Sequence, residues 1–209
     1  MLFRSRVNPE VVVANAHEYI ATGERGHKFG IPYVEAADVA RAALGMVHVR
    51  LVCLDMHVGS QLATLDPYRD GMQRLAALVT ELRAAGAPIR YLDIGGGLPV
   101  AYQAGDPTPD LPGYGTLVGE TVRALDVELI VEPGRFLVGD CGVLLTRVLY
   151  RKASGGKQYV IVDAGMNDLL RPSHYDAYHR IDADRPSGRR VTADVVGPVC
   201  ETEIGRAHV

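Results

Sequence analysis

Three short clusters of chemically active residues recur at a nearly constant spacing. They are HVGSQ from His57, GGG from Gly95 and EPGR from Glu132, and the intervals between their first residues are 38 and 37 residues. Each cluster follows a short, largely apolar run of strand length, and a helical pattern separates consecutive runs. Because consecutive parallel strands end at one edge of a sheet, the clusters are expected to converge. The spacing therefore predicts an α/β fold and favours part of a (β/α)8 TIM-type barrel. A doubly wound sheet is the alternative, but it would need a topological switch point to gather three clusters.

The segments around the clusters predict alternating strands and helices. Strands are expected at residues 2–7, 49–56, 90–94 and 128–131. One helix is expected from Pro32 to Gly45, and another from Asp66, as N-cap, to Gly86. The buried stripe of the second helix is predicted to consist of Met72, Leu75, Val79 and Leu82. A third helix is expected at residues 116–125, which completes the β/α rhythm.

The pattern changes after Arg135 to long alternating runs at residues 142–150, 158–162 and 190–196. No long helical pattern separates these runs, which indicates an antiparallel β region in a second domain. We therefore predict a partial barrel over residues 1–138 and part of a C-terminal β domain over residues 139–202.

Both ends of the chain suggest an internal piece of a longer protein. The chain begins almost inside a strand-like run. Residues 203–209 (EIGRAHV) break the preceding pattern and are predicted to be a non-native tail, with an ordinary polar tail as the alternative.

Composition excludes several classes of protein. With 47% hydrophobic and 22% charged residues the chain can bury a core, and a net charge of -3 gives no basic field for a nucleic acid. No apolar run is long enough to span a membrane. Three scattered cysteines give neither a disulfide framework nor a zinc site, so no metal is predicted and a reducing, cytoplasmic location is expected.

Each cluster has a functional and a structural interpretation. The glycines at 95–97 suit a backbone cradle for a phosphate, or only a tight turn. Glu132 and Arg135 place an acid and a base at one strand end, or form only an ion pair. His57 is a catalytic base, a ring that stacks on a cofactor, or a buried structural histidine. Together, a phosphate cradle, an imidazole and a carboxylate meet the needs of pyridoxal 5'-phosphate, whose ring nitrogen Glu132 would keep protonated.

Longer motifs give the chain a resemblance to the diaminopimelate decarboxylase family, within the alanine-racemase-like class of pyridoxal-phosphate enzymes. The generic motifs are VNPE at Val7, TG at Thr22, KFGI at Lys28, HVGSQ at His57, LDIGGG at Leu92 and EPGR at Glu132. The more specific ones are VDAGMNDLLRPSHYDAYH at Val162 and VVGPVCET at Val195. The resemblance implies decarboxylation of meso-2,6-diaminopimelate to L-lysine and CO2 as the last step of lysine biosynthesis.

The resemblance also implies which residues hold the cofactor. His57 would stack on the pyridine ring and Glu132 would contact the ring nitrogen. The phosphate would be held by Ser60 and the turn of Gly95, Gly96 and Gly97. The other cofactor-binding residues would be Pro133, Gly134 and Arg135.

The substrate would be bound by Arg135, Arg171 and Tyr175, in keeping with bidentate recognition of carboxylates by arginine. The alternative interpretation is that Arg171, which precedes a proline, is only a solvated cap at the start of a helix. By resemblance, Cys200 would be the general acid and Glu201 would contact the distal amino group. Both act in the partner subunit's site in the family, so a homodimer with shared active sites is expected.

Two alternatives remain open. A related basic-amino-acid decarboxylase would act on ornithine, arginine or carboxynorspermidine, although such a site should lack the pair formed by Arg171 and Tyr175. A non-catalytic homologue would bind pyridoxal phosphate or a partner enzyme without turnover. The family's Schiff-base lysine lies in an upstream segment that has no counterpart here, so the chain is expected to be inactive alone.

Overall fold

The computed structural model describes residues 2–13, 28–185, 188, 191–199 and 203–208. The chain divides into two compact units. The first comprises Met1–Val100 with Pro107–Gly139, and the second comprises Ala101–Asp106 with Asp140–Val209.

The described part of the first unit contains a five-stranded sheet in the order β2-β1-β3-β4-β5. The strands are β1 (Leu2–Asn8), β2 (Ile31–Pro32), β3 (Arg50–Asp55), β4 (Tyr91–Asp93) and β5 (Glu128–Ile130). All four pairings are parallel. The helices are α1 (Tyr33–Leu44), α2 (Asp66–Ala84), α3 (Leu111–Leu125) and the short α4 (Gly134–Val138). This confirms the predicted β/α alternation, in which helices connect parallel strands.

Helix α2 packs the predicted apolar stripe against the sheet. Met72, Leu75, Val79 and Leu82 are all buried, in one cluster with Leu92 and Ile94. The N-cap is Leu65 rather than Asp66. The Asp66 carboxylate instead pairs with Arg69 one turn later, where it also complements the helix dipole.

Helix α3 begins at Leu111, five residues before the predicted start at Thr116. The carboxylate of Asp110 accepts a hydrogen bond from the backbone N–H of Gly113 at 3.0 Å, which is an N-cap. Pro112 then occupies the first turn, where its missing N–H costs nothing. The cap and the proline fix the earlier start.

The described part of the second unit is built on a four-stranded sheet in the order β6-β7-β8-β9, with one short helix, α5 (Arg171–Tyr175). The strands are β6 (Val148–Ser154), β7 (Lys157–Val162), β8 (Thr192–Val196) and β9 (Glu203–His208). Gly155 and Gly156, both with positive φ, form the two-residue hairpin turn between β6 and β7. The small hydrophobic core of the second unit includes Val160, Val162, Ala193 and Val195.

Two details of this sheet differ from expectation. The pairing of β7 with β8 is parallel, so the sheet is antiparallel only at β6–β7 and β8–β9. Residues 142–147 are not a strand, although their apolar residues were expected to belong to one. The Thr146 hydroxyl and the Arg147 backbone N–H instead donate to the Asp163 carboxylate, at 2.6 and 2.8 Å.

Strand β9 covers most of the predicted non-native tail and pairs with β8. Strand pairing does not bear on the origin of those residues, which stays a prediction. Among the described residues, no helix is both long and apolar enough to cross a membrane.

Candidate active site

The three clusters lie side by side at the carboxyl edge of the parallel sheet in the first unit. Asp55 at the end of β3 is in register with Asp93 at the end of β4. Beyond these strand ends, the backbone N–H of Gly96 donates to Nδ1 of His57 at 3.2 Å, and that of Glu132 donates to the Gly95 carbonyl at 2.7 Å. The predicted convergence of the imidazole, the glycines and the acid is therefore present.

The glycine turn is closely packed against the loops on both sides of it. A Cβ on Gly95 would lie 2.4 Å from the Met56 carbonyl oxygen, and one on Gly96 would lie 2.0 Å from that of Glu132. Gly95 also has a φ of +69°, which favours glycine. The structural interpretation of these glycines therefore applies, because only glycine lets the three loops approach.

Two N–H groups of the turn already have partners within the protein. The Gly95 N–H donates to Oδ1 of Asp93 at 3.0 Å, and the Gly96 N–H donates to the His57 ring. A phosphate bound by either group would have to replace these bonds. The phosphate cradle at 95–97 stays a prediction.

His57 is half-buried beside this turn. Burial, and secondly the positive charge of Arg6, lowers the pKa of His57. Because Nδ1 accepts a hydrogen bond, the neutral ring carries its proton on Nε2. A neutral, oriented imidazole is well suited to stack on an aromatic cofactor.

Three carboxylates surround the guanidinium of Arg4 at this edge of the sheet. Nη1 of Arg4 donates both to Oδ2 of Asp93 and to Oε1 of Glu132, the latter at 2.7 Å, and Nε lies 3.9 Å from Oδ2 of Asp55. Asp55 and Asp93 are buried, whereas the Glu132 side chain is 44% exposed. The hydrogen bond to Glu132 raises the pKa of Arg4 further above its already high value. Arg4 is therefore a permanent positive charge.

Asp55 is a buried acid of this group whose pKa is shifted. Burial, and secondly the charge on Asp93, raises the pKa of Asp55 to about 6. Its Oδ1 atom is buried and accepts no hydrogen bond in the described structure. A carboxyl in this state titrates near neutral pH, unlike an exposed aspartate.

Arg4, Asp55 and Asp93 are site residues that sequence reasoning missed. Asp55 and Asp93 each stand two residues before the first residue of a cluster, His57 and Gly95 respectively. A repeated acid at that offset, on strands whose alternate residues face one side, was the available signal.

Two side chains hold the loops of the site in place. The buried Tyr68 hydroxyl on α2 donates to the Gly96 carbonyl at 3.0 Å. The Gln61 side-chain amide binds both backbone groups of Val100, each at 2.9 Å. The loop after His57 and the loop after the glycines are thus tied to the core of the first unit.

The remaining predicted residues of the first unit lie in the same loops. Ser60 follows His57 and is half-buried. Pro133 is the N-cap of α4, on which Gly134 and the half-buried Arg135 lie. Their contacts with a ligand stay predictions.

The second unit brings Arg171 and Tyr175 together at helix α5. The guanidinium of Arg171 lies 5.7 Å from the ring centre of Tyr175 and also 5.7 Å from that of Tyr102, so both rings attract the cation. Nε of Arg171 is buried and has no hydrogen-bond partner among the described residues. An arginine held by aromatic contacts is suited to bind an anion. Cys200 and Glu201 lie outside the described residues.

The donor set of the first unit fits pyridoxal phosphate. Glu132 offers a carboxylate for the ring nitrogen, and no described residue donates to its Oε2 atom. His57 offers a neutral ring. An acidic side chain is a recognised partner of the ring nitrogen of this cofactor, and a neutral aromatic ring can stack on the pyridine ring.

Comparisons with known proteins agree with this fit. Residues 4–139 match the family described as pyridoxal-dependent decarboxylase, pyridoxal binding domain. The chain is 45% identical over 198 residues to the diaminopimelate decarboxylase of Neisseria meningitidis. This alignment covers 94% of this chain and 48% of the relative. It is 46% identical over 201 residues to that of Pseudomonas aeruginosa, covering 94% and 47%. The chain thus spans about half the length of the curated relatives it matches.

Solved structures show the same relationship. Diaminopimelate decarboxylase from Helicobacter pylori complexed with L-lysine superposes with a TM-score of 0.90 at 40% identity, covering 100% of this chain and 52% of that one. Lysine decarboxylase from Selenomonas ruminantium superposes with a TM-score of 0.74 at 26% identity, covering 98% and 51%. The predicted fold class, a partial barrel followed by part of a β domain, is confirmed.

Proposed function

Since the chain belongs to the pyridoxal-dependent decarboxylases, we propose that this protein decarboxylates meso-2,6-diaminopimelate to L-lysine and CO2 with pyridoxal 5'-phosphate. The observation that carries this proposal is the convergence of His57, the glycine turn and Glu132 at the edge of adjacent parallel strands. The 45% identity to a diaminopimelate decarboxylase supports the choice of substrate.

The residues of the first unit hold and tune the cofactor in this proposal. When bound, pyridoxal phosphate supplies an electron sink for the electron pair of the broken carbon–carbon bond. The Glu132 carboxylate accepts a hydrogen bond from the ring N–H and, by its negative charge, keeps that nitrogen protonated and positively charged. His57 stacks on the ring, Ser60 and the turn at 95–97 hold the phosphate, and residues 133–135 contact the cofactor.

The second unit supplies groups for the substrate. Arg171, stacked on Tyr102 and Tyr175, binds the carboxylate that the substrate retains, and Tyr175 adds a neutral donor. Arg135 contributes to the same task. Ornithine has no carboxylate at its far end, so a site built for ornithine has no use for this pair.

Cys200 and Glu201 complete the proposed chemistry. Cys200 donates a proton to the carbon that has lost CO2, and Glu201 accepts a hydrogen bond from the distal amino group. We propose that both act in the site of a second copy, so that the protein works as a homodimer. The scarcity of cysteine supports a cytoplasmic location.

A basic-amino-acid decarboxylase is the second candidate function. Its support is the superposition on lysine decarboxylase from Selenomonas ruminantium, at 26% identity. The higher identity to diaminopimelate decarboxylases makes this the weaker candidate.

The proposal is tested by complementation of a bacterium that requires lysine because its diaminopimelate decarboxylase gene is deleted. The gene for this protein, at its full encoded length, is expected to restore growth without lysine, and Cys200→Ala is expected to abolish the rescue. Normal expression without growth would contradict the proposal.

A further inference from the structure

Arg4 on β1 is the hydrogen-bond donor to the Glu132 carboxylate within the described structure. The same Nη1 atom also donates to Asp93, whose side chain is fully buried at the end of β4. Arg4 thus connects a 44% exposed acid on a loop to a fully buried acid at the end of a strand.

We propose that Arg4 is a positioning residue for the cofactor, which holds the Glu132 carboxylate negatively charged and oriented toward the ring nitrogen. This inference rests on the proposed function and deepens it. Arg4 itself need not touch the cofactor, because it acts through Glu132.

The two oxygens of the Glu132 carboxylate have different surroundings. Arg4 binds Oε1, and no described residue donates to Oε2. A carboxylate can accept on both oxygens, so Oε2 is available for the ring N–H. Without Arg4, a side chain that is 44% exposed would turn among several rotamers and lose this orientation.

The guanidinium of Arg4 also compensates a concentration of negative charge. One carboxylate oxygen from each of Asp55, Asp93 and Glu132 lies within 4.8 Å of the others. Carboxylates so close together cannot all stay ionised without a compensating cation. Removing the guanidinium would favour proton uptake by these three carboxylates. A protonated Glu132 cannot stabilise a positively charged ring nitrogen.

The test compares pyridoxal phosphate with its 1-deaza analogue, in which a CH group replaces the ring nitrogen. Dissociation constants for both probes are measured by fluorescence on the protein at the length its gene encodes. Arg4→Gln is expected to weaken binding of pyridoxal phosphate roughly tenfold and to leave the affinity for the analogue unchanged. Arg4→Lys, which keeps the charge, should restore part of the preference for pyridoxal phosphate over the analogue.

Two further variants test whether Arg4 affects cofactor binding through Glu132. In a Glu132→Gln background, Arg4→Gln should have no further effect on pyridoxal phosphate, because coupled residues do not act additively. Arg41→Gln is the matched control, since Arg41 also contacts two acids, Asp38 and Glu81, and is 48% exposed, against 45% for Arg4. It should change neither affinity.

If Arg4→Gln alone does not fold, the double variant Arg4→Gln, Asp93→Asn also removes the buried charge and should show the same loss of preference. An equal loss for both probes, or no loss, would overturn the inference while leaving the proposed function standing. A wild-type protein that binds neither probe would overturn the proposed function itself.

Discussion

The surroundings of Arg171 suit this side chain to bind an anion. Its guanidinium is attracted by the rings of Tyr102 and Tyr175, yet its buried Nε has no acceptor among the described residues. Aromatic stacking restricts the side chain without neutralising it. Sequence reasoning selected Arg171 and Tyr175, but it missed Tyr102, which lies about seventy residues earlier in the chain.

Arg171→Ala should weaken binding of diaminopimelate. A hydrogen bond between charged groups is worth about 1.5–3 kcal/mol, so the dissociation constant should rise roughly tenfold to a hundredfold. The absorbance of bound cofactor should not change. Arg180→Ala is the control, because Arg180 is 75% exposed and pairs only with Asp182 in the described structure. Loss of cofactor with unaltered substrate affinity would contradict the role of Arg171.

Asp55 should make the stability of the protein depend on pH. Its pKa is raised from 3.8 to about 6 by burial and by Asp93, so at intermediate pH the folded state binds a proton that the unfolded state has released. The contribution of Asp55 to the free energy of unfolding therefore falls as the pH rises from 4 to 6.

The variant Asp55→Asn lacks this titration. The free energy of unfolding of this variant minus that of the wild type should rise by up to about 3 kcal/mol between pH 4 and pH 7. Urea denaturation of both proteins measures this difference. A difference that stays constant, or that falls over this range, would show that Asp55 does not carry a raised pKa.

Among the structural elements, the glycine turn after β4 matters because three loops meet there. Gly96 has no space for a side chain, whereas Gly115 on α3 has no atom within 4 Å of the place that an added methyl group would occupy. The same substitution at these two glycines should therefore have opposite effects.

Gly96→Ala should destabilise the protein by about 1–3 kcal/mol, because the added methyl group would press on the Glu132 backbone. Gly115→Ala should stabilise it by about 0.5–1 kcal/mol through helix propensity. Thermal or urea unfolding of both variants measures this. Equal effects at the two sites would mean that the turn is not closely packed.

Local sequence signals predicted most elements of the first unit, including the buried stripe of α2. They failed where a contact distant in sequence decides the structure. Residues 142–147 alternate like a strand, yet Thr146 and Arg147 bind Asp163 instead. The parallel pairing of β7 with β8 likewise joins segments about thirty residues apart, and no local pattern specifies its direction. The ion pairs around Arg4 were missed for the same reason, since their members lie on four different segments.

Over the whole molecule, the chain has three lysines, and none follows one of the three strand ends that form the site. Lys28 lies beside Phe29, whereas Lys152 and Lys157 are exposed on β6 and β7. Covalent attachment of the cofactor requires an amine held against its aldehyde and activated by its surroundings.

The 209-residue chain expressed alone should therefore form no covalent bond with pyridoxal phosphate. Refolding with the cofactor, reduction with borohydride and peptide mapping by mass spectrometry would detect such a bond. Stoichiometric labelling at Lys28 would contradict this expectation.

The proposed reaction can be measured on the whole protein. The protein, at the full length its gene encodes, is incubated with pyridoxal phosphate and meso-2,6-diaminopimelate, and CO2 release and product identity are followed by mass spectrometry. Equimolar CO2 and L-lysine, with no turnover of ornithine, are expected. Turnover of ornithine with none of diaminopimelate would contradict the proposed function.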